Sequence, residues 1–232
     1  MLKKNYRSYH FGSSTDLSDR QLEQFVELFN RPATAVDSVL GGRTSVKMLQ
    51  MSGLGSLVVK YYFRGGLIQY LIKRRYLKWG KTRCQIEYEI LNKVRALGIG
   101  APKPIAFAFE GALFYRCWLI TEEVKQHRTL ARLSLDKAQQ ARAIMGQIVA
   151  QVATLINNHI FHVDLHPGNV LVDSNNRVFL IDFDRARITR MQKNKLCKKY
   201  LNRWQRAVTK HQLPEMLNEI LQANLGRNYG KD

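Results

Sequence analysis

The stretch His162-Val163-Asp164-Leu165-His166-Pro167-Gly168-Asn169, followed by Ile181-Asp182-Phe183-Asp184, decides how this chain folds. Asp164 and Asn169 are five positions apart, and Asp182 comes 13 residues after Asn169. Between them, residues 170–172 and 178–181 read as two short strands around Asp173-Ser174-Asn175-Asn176, residue types that favour a tight turn. Upstream, residues 135–158 read as one long helix, because Ile144, Ile148, Val152 and Leu155 align on one face. Downstream of Ile188 the chain reads as helical and basic.

Further toward the N-terminus the pattern changes. Ser18-Asp19-Arg20-Gln21 reads as a capping box that opens a short helix with Leu22, Phe25, Val26 and Phe29 on its apolar face, stopped by Pro32. Residues 46–49 and 57–62 read as strands joined by a Ser52-Gly53 turn. Residues 82–97 read as a helix with Ile86, Ile90, Val94 and Leu97 on one face and Gly98 as its stop. Residues 105–109 and 114–121 read as strands around Gly111. Strands come first and helices follow, which predicts an α+β fold of two lobes, residues 1–121 and 122–232.

Composition agrees with a folded chain and says what it seeks. Of 232 residues, 45% are hydrophobic and 24% charged, ordinary for a globular protein. The 37 Lys and Arg against 18 Asp and Glu give a net charge of +19. Residues 60–83 hold eight basic residues and no acidic one, and residues 185–211 hold ten and none. Those two runs carry nearly the whole excess, so two basic patches are expected, suited to a phosphorylated substrate, an anionic membrane surface or nucleic acid. The three cysteines are far apart with no CxxC pair, which speaks against a disulfide framework or zinc site and for a reducing compartment. Residues 1–10 contain no apolar signal region and no run of 18 apolar residues exists, so neither secretion nor a membrane span is expected.

The stretch from His162 to Asp184 resembles the protein-kinase catalytic loop H-R-D-L-x-x-x-N followed by D-F-G. Five fixed residues at this spacing would arise by chance on the order of once in ten thousand chains of this length. The resemblance makes Asp164 the base that orients an acceptor hydroxyl, and Asn169 and Asp182 the oxygen ligands of magnesium. Leu57-Val58-Val59-Lys60 then resembles the strand whose Lys holds the α- and β-phosphates of ATP. Glu87, on the following helix, is its expected partner and Glu89 the competitor. Gly41-Gly42-Arg43 lies where the phosphate-covering loop belongs. Thr121-Glu122-Glu123-Val124 takes the place of the hinge whose backbone reads adenine.

Departures from that pattern narrow it. Val163 replaces the Arg that pairs with a phosphorylated activation loop. His166 replaces the usual Lys near the γ-phosphate, and Asp184 replaces a Gly that permits positive φ, where Asp would sit at some cost. Only 48 residues follow Asp184, without an A-P-E motif. Three segments, Gly41-Gly42-Arg43, Tyr61-Tyr62-Phe63-Arg64-Gly65-Gly66 running to Arg74-Arg75-Tyr76, and Asp182-Phe183-Asp184-Arg185-Ala186-Arg187, resemble the kinases of 3-deoxy-D-manno-oct-2-ulosonic acid (Kdo) in lipopolysaccharide synthesis, relatives of the heptose kinases. That resemblance implies ATP, Mg2+ and transfer of phosphate to the 4-OH of Kdo on a lipid A precursor, by a peripheral protein at the cytoplasmic face of the inner membrane.

Under this reading Arg64, Arg74, Arg75 and His166 are candidates for contact with the acceptor. Residues 67–79 would form an interfacial helix with Ile68, Ile72, Tyr76 and Trp79 on one side, or an insertion packed on the first lobe with a solvated basic face. Three other readings compete: a heptose kinase or minimal protein kinase; a non-catalytic pseudokinase that binds anions as a scaffold; and a nucleic-acid binder that uses Tyr61, Tyr62, Phe63 and Trp79 among basic residues. The retained Lys60, Glu87, Asp164, Asn169 and Asp182 argue against the second. The third has no recognised nucleic-acid motif. Nothing in the sequence sets the oligomeric state.

Overall fold

The computed structural model describes residues 1–31, 45–62, 76–77 and 80–229. The chain divides into two units, Met1–Asn92 with Lys103–Glu123, and Lys93–Pro102 with Val124–Asp232. The first is rich in strands and the second mainly helical, the α+β class that the order of elements predicts.

In the first unit, β1 (Leu2–Tyr6), β2 (Tyr9–Ser13), β3 (Ser45–Met51), β4 (Gly55–Tyr61), β6 (Pro104–Glu110) and β7 (Phe114–Glu122) form one antiparallel sheet. Its order is β1-β2-β6-β7-β4-β3, and the short β5 (Tyr76–Leu77) also pairs with β7. The β1–β2 hairpin has no counterpart in the sequence reading, because β1 leaves most of its residues exposed and so shows no alternation of apolar side chains. Helix α1 (Asp19–Asn30) starts at the capping box: Ser18 accepts from Gln21 N, and the Gln21 side chain accepts from Ser18 N. Its buried Leu22, Phe25, Val26 and Phe29 share one core with Phe11, Leu57, Val59, Tyr61 and Trp118. Phe29 stacks on Trp118 at 4.3 Å between ring centroids. Each side chain of this size contributes roughly 1.5–3 kcal/mol by its burial. Because successive strand residues alternate faces, the buried Leu57, Val59 and Tyr61 send Lys60 to the opposite side of β4.

Helix α2 (Arg83–Ala96) ends as Gly98 predicts. Gly98 has φ +77°, Gly98 N donates to Arg95 O at 3.0 Å and Ile99 N donates to Val94 O at 3.0 Å, the paired bonds of a left-handed stop. Ile90 and Val94 are buried, whereas Ile86 is 38% exposed, so the buried face is narrower than the aligned apolar residues suggest.

In the second unit the expected single helix is two. Helix α3 (Leu130–Asp136) is capped by Thr129, and α4 (Ala138–Asn157) follows after one residue. Lys137 breaks the run with φ −144° and ψ 66°; its N–H closes the first helix on Leu133 O and its carbonyl opens the second by accepting from Ala141 N. Strands β8 (Arg128–Thr129), β10 (Val170–Val172) and β11 (Val178–Leu180) form a small sheet, and β9 (Ile160–Phe161) pairs with β12 (Arg187–Ile188). Helices α5 (Lys193–Lys210) and α6 (Met216–Tyr229) complete the unit. The β10–β11 turn closes on Asp173 Oδ1, which accepts from Asn175 N and Arg177 N, each at 2.9 Å.

The segment after α2 is tied to β11: Leu180 N donates to Gly100 O at 2.8 Å. A Cβ on Gly100 would stand 2.0 Å from the Val178 carbonyl oxygen, a backbone atom that has nowhere to go. Gly100→Ala is therefore expected to cost about 1–3 kcal/mol, read as a lower urea midpoint. An unchanged midpoint would mean that this contact does not constrain the segment.

Gly41, Gly42, Arg43, Arg64, Arg74 and Arg75 lie outside the described residues, so the phosphate-covering loop and the acceptor arginines of the sequence reading are not placed. A helix across residues 67–79 is overturned at its C-terminal end: Tyr76 and Leu77 pair as strand with Tyr115 and Phe114 of β7, and extended backbone cannot also close helical turns. Among the described residues no helix is long and apolar enough to cross a membrane.

Candidate active site

The first unit places a partly buried cation on β4. Lys60 Nζ donates to both carboxylate oxygens of Glu87, each at 3.0 Å. Glu89 pairs instead with Lys81, at 2.7 Å, in an exposed position. The choice follows from the helix: Glu87 lies three and four positions before Ile90 and Leu91, on the buried side, and is 2% exposed. Tyr62, which the sequence reading took only as part of a family segment and as a base-stacking ring of a nucleic-acid binder, completes the group. Its hydroxyl donates to Glu87 Oε2, and its ring lies 5.1 Å from Lys60 Nζ and 5.7 Å from the Arg83 guanidinium. Burial, with the Glu87 carboxylate beside it, pushes the Tyr62 phenol well above its ordinary pKa, so it remains a donor. One carboxylate thus holds a lysine and a phenol in a fixed geometry. The signal for Tyr62 was its position two residues after Lys60, which points it to the same face of an extended chain.

Glu122 ends β7, and its side chain accepts from Lys103 Nζ at 2.8 Å in a half-exposed pair. Its backbone N–H donates to Lys103 O at 2.8 Å, and Glu123 N donates to Ser56 O at 3.0 Å. A base at this edge would therefore find these two N–H groups already engaged.

The second unit gathers the catalytic-loop residues. His162 is 1% exposed. Its Nε2 lies 2.9 Å from Ile181 O, its backbone N–H donates to Tyr200 Oη at 2.8 Å, and its ring packs 4.4 Å from that of Phe183. Tyr200 in turn donates to Ile160 O at 2.8 Å, so α5 pins both ends of the residues before the loop. Asn169 Nδ2 donates to Asp164 O at 2.9 Å, and Ile181 N donates to Asn169 O at 3.0 Å. These bonds bring the segment before Asp182 against Asn169. Asp164 Oδ1 accepts from Arg203 Nε at 2.8 Å and Nη2 at 2.6 Å. Both bonds fall on one oxygen. Among the described residues Oδ2 is left to accept from elsewhere.

Arg203 was missed in the sequence because it is one of ten cations in a run without an acid, and nothing distinguishes it from its neighbours. Strain also sits elsewhere than expected. Asp182 takes φ +64° and Asp184 is not in the left-handed region. Asp tolerates that conformation better than most residues, at a cost of about 1 kcal/mol.

His166 turns inward. Its Nδ1 accepts from Gly168 N at 3.1 Å. Burial, then the Arg203 guanidinium, lower its pKa from 6.5 to about 4. It is therefore neutral at pH 7, unlike the lysine it replaces. Burial lowers the His162 pKa too. The sign follows: between about 4 and 6.5 the unfolded chain takes up a proton at this site that the folded chain refuses. Stability should fall as pH drops through that window and level off below it. For His166 the loss is on the order of 2 kcal/mol after allowance for solvent screening. His166→Asn is expected to flatten the dependence of the urea midpoint on pH between 6.5 and 4, and an unchanged slope would remove His166 as its source.

The donor set suits magnesium. Asn169 Oδ1 and the Asp182 carboxylate are hard oxygen donors, and Mg2+ is commonly held by one or two such groups with water and substrate phosphates filling its octahedron. Among the described residues no cluster of three His, Cys, Asp or Glu offers a closed cage for a tighter ion.

Comparison with known proteins adds a family match and three relatives. The lipopolysaccharide kinase (Kdo/WaaP) family matches residues 26–223. A "3-deoxy-D-manno-octulosonic acid kinase" of Vibrio parahaemolyticus is 31% identical over 149 residues, covering 63% of this chain and 62% of that protein. A protein of the same name from Photobacterium profundum is 34% identical over 133 residues, covering 56% of each chain, and one from Xylella fastidiosa is 28% identical over 149 residues, covering 63% of this chain and 59% of that protein. The chain thus matches about three-fifths of the length of these relatives.

Proposed function

Because the chain belongs to the lipopolysaccharide kinase (Kdo/WaaP) family, we propose that it transfers the γ-phosphoryl group of ATP to the 4-OH of Kdo on a lipid A precursor. The curated relatives named as kinases of this sugar acid support the acceptor, and the two groups described above support the chemistry. Asp164 carries the reading. Held by Arg203 at Oδ1, it presents Oδ2 to the acceptor hydroxyl and takes its proton as the hydroxyl oxygen attacks the γ-phosphorus. The bond from that phosphorus to the β–γ bridging oxygen breaks, and ADP leaves. Lys60, fixed by Glu87 and Tyr62, steadies the α- and β-phosphates. Asn169 and Asp182 would hold Mg2+, which neutralises the phosphate oxygens when bound. The protein does little covalent chemistry and much positioning, as phosphoryl transfer requires.

The same reading assigns the place of work. Kdo-bearing lipid A precursors carry phosphates and carboxylates at the cytoplasmic face of the inner membrane, and a chain of net charge +19 is drawn to such a surface, each basic residue near it contributing about 1 kcal/mol. The test is direct. The purified protein is incubated with MgATP and a Kdo-bearing lipid A precursor, and the lipid is followed by mass spectrometry. Gain of one phosphate is expected. Phosphate gained only by a heptose-bearing acceptor would move the activity to the heptose kinases, and no gain on either, with MgATP bound, would sink it.

A further inference from the structure

Phe161 immediately precedes the loop that carries Asp164 and is 8% exposed. Two cations lie against its ring: the Arg187 guanidinium 5.5 Å from the centroid and Lys199 Nζ at 6.0 Å. The backbone fixes both. Arg187 faces Phe161 in the β9–β12 pairing, and Lys199 precedes Tyr200, whose hydroxyl links Ile160 O to His162 N. One turn further along α5, Arg203 reaches Asp164. Two cations therefore lie against Phe161, and a third, from the same helix as Lys199, pairs with Asp164 three residues on.

They are poorly compensated. Arg187 and Lys199 meet no carboxylate among the described residues, Arg203 shares only Oδ1 of Asp164, and residues 185–211 contain no acid. Contact with an aromatic face attracts an exposed cation only weakly and leaves its charge without a counterion. An anion arriving from outside is the counterion that this arrangement lacks. We propose that Arg187, Lys199 and Arg203 form the seat of the acceptor's anionic group, a carboxylate or phosphate, beside the base Asp164. The seat rests on the kinase reading and adds to it the residues that hold the acceptor.

The experiment measures initial rates for the wild type and for the double variant Arg187→Gln with Lys199→Gln, varying acceptor and ATP separately. Arg203 stays intact, so the base keeps its partner. With a Kdo-bearing lipid A precursor the acceptor KM is expected to rise roughly tenfold, with kcat within about twofold and the KM for ATP unchanged. The double variant Arg187→Lys with Lys199→Arg, which keeps both charges, is expected to recover most of the loss. A Kdo glycoside without phosphate distinguishes the source: the same rise in KM assigns the carboxylate, and a rise confined to the lipid acceptor assigns a phosphate. An unchanged acceptor KM in the Gln variant overturns the seat while leaving the kinase reading intact. So does an equal rise in both KM values, which would assign these cations to the nucleotide. A wild type that phosphorylates neither acceptor removes the kinase reading and the seat with it.

Discussion

Replacing Asp164 by Asn is expected to slow phosphate transfer by about 10²- to 10⁴-fold while MgATP affinity stays within about twofold. The substitution keeps the shape of the side chain, and the amide oxygen still accepts from Arg203, which meets Asp164 through Oδ1 alone. What is lost is the second oxygen as a proton acceptor. The backbone carbonyl of residue 164 continues to hold Asn169, so the neighbouring oxygen ligand should not move. Single-turnover rates with a Kdo-bearing acceptor and titration with MgATP separate the two effects. A variant with full turnover would show that the hydroxyl proton leaves by another route, and one that lost MgATP binding in step would make residue 164 a nucleotide contact.

Glu87→Ala is the second large effect, and it acts on stability as well as on nucleotide binding. The Lys60–Glu87 pair is nearly shielded from water, with side chains 13% and 3% exposed. Removal of Glu87 strands a largely shielded ammonium and leaves the Tyr62 hydroxyl without its acceptor. Breaking such a pair costs about 3–5 kcal/mol. In a chain of this size that lowers Tm by roughly 6–20 °C. Glu89→Ala is the control: its exposed pair with Lys81 contributes at most about 1 kcal/mol. Thermal unfolding of the two variants, with MgATP titration of each, checks both. Equal small shifts would mean that Glu87 is better solvated than its contacts indicate.

Helices α1 and α2 were legible because each carries its own local chemistry. Ser18 and Gln21 make both bonds of a capping box, and Gly98 makes the left-handed turn that only glycine adopts freely. The choice between Glu87 and Glu89 followed from helical period alone. What stayed hidden was set by tertiary packing. Strand β1 has no apolar alternation and is held by β2, so its sequence does not declare it. The break at Lys137 interrupts a run of good helix formers and is decided by its φ and ψ, not by any proline or glycine. Arg203 became visible only when α5 turned one of ten similar cations onto Asp164. The strain expected at Asp184 lies at Asp182, two residues earlier, because the chain must turn there after Ile181 is tied to Asn169.

The packing of Phe183 on His162 has a consequence for inhibitor chemistry. The ring is fully buried and rests against an imidazole that is buried too. A compound that binds by expelling this ring into water would forfeit about 2–3 kcal/mol of its own affinity, some 30- to 150-fold in Kd. Ligands that accept the ring where it lies keep that margin, so a search for small molecules against this chain should begin from the resting arrangement.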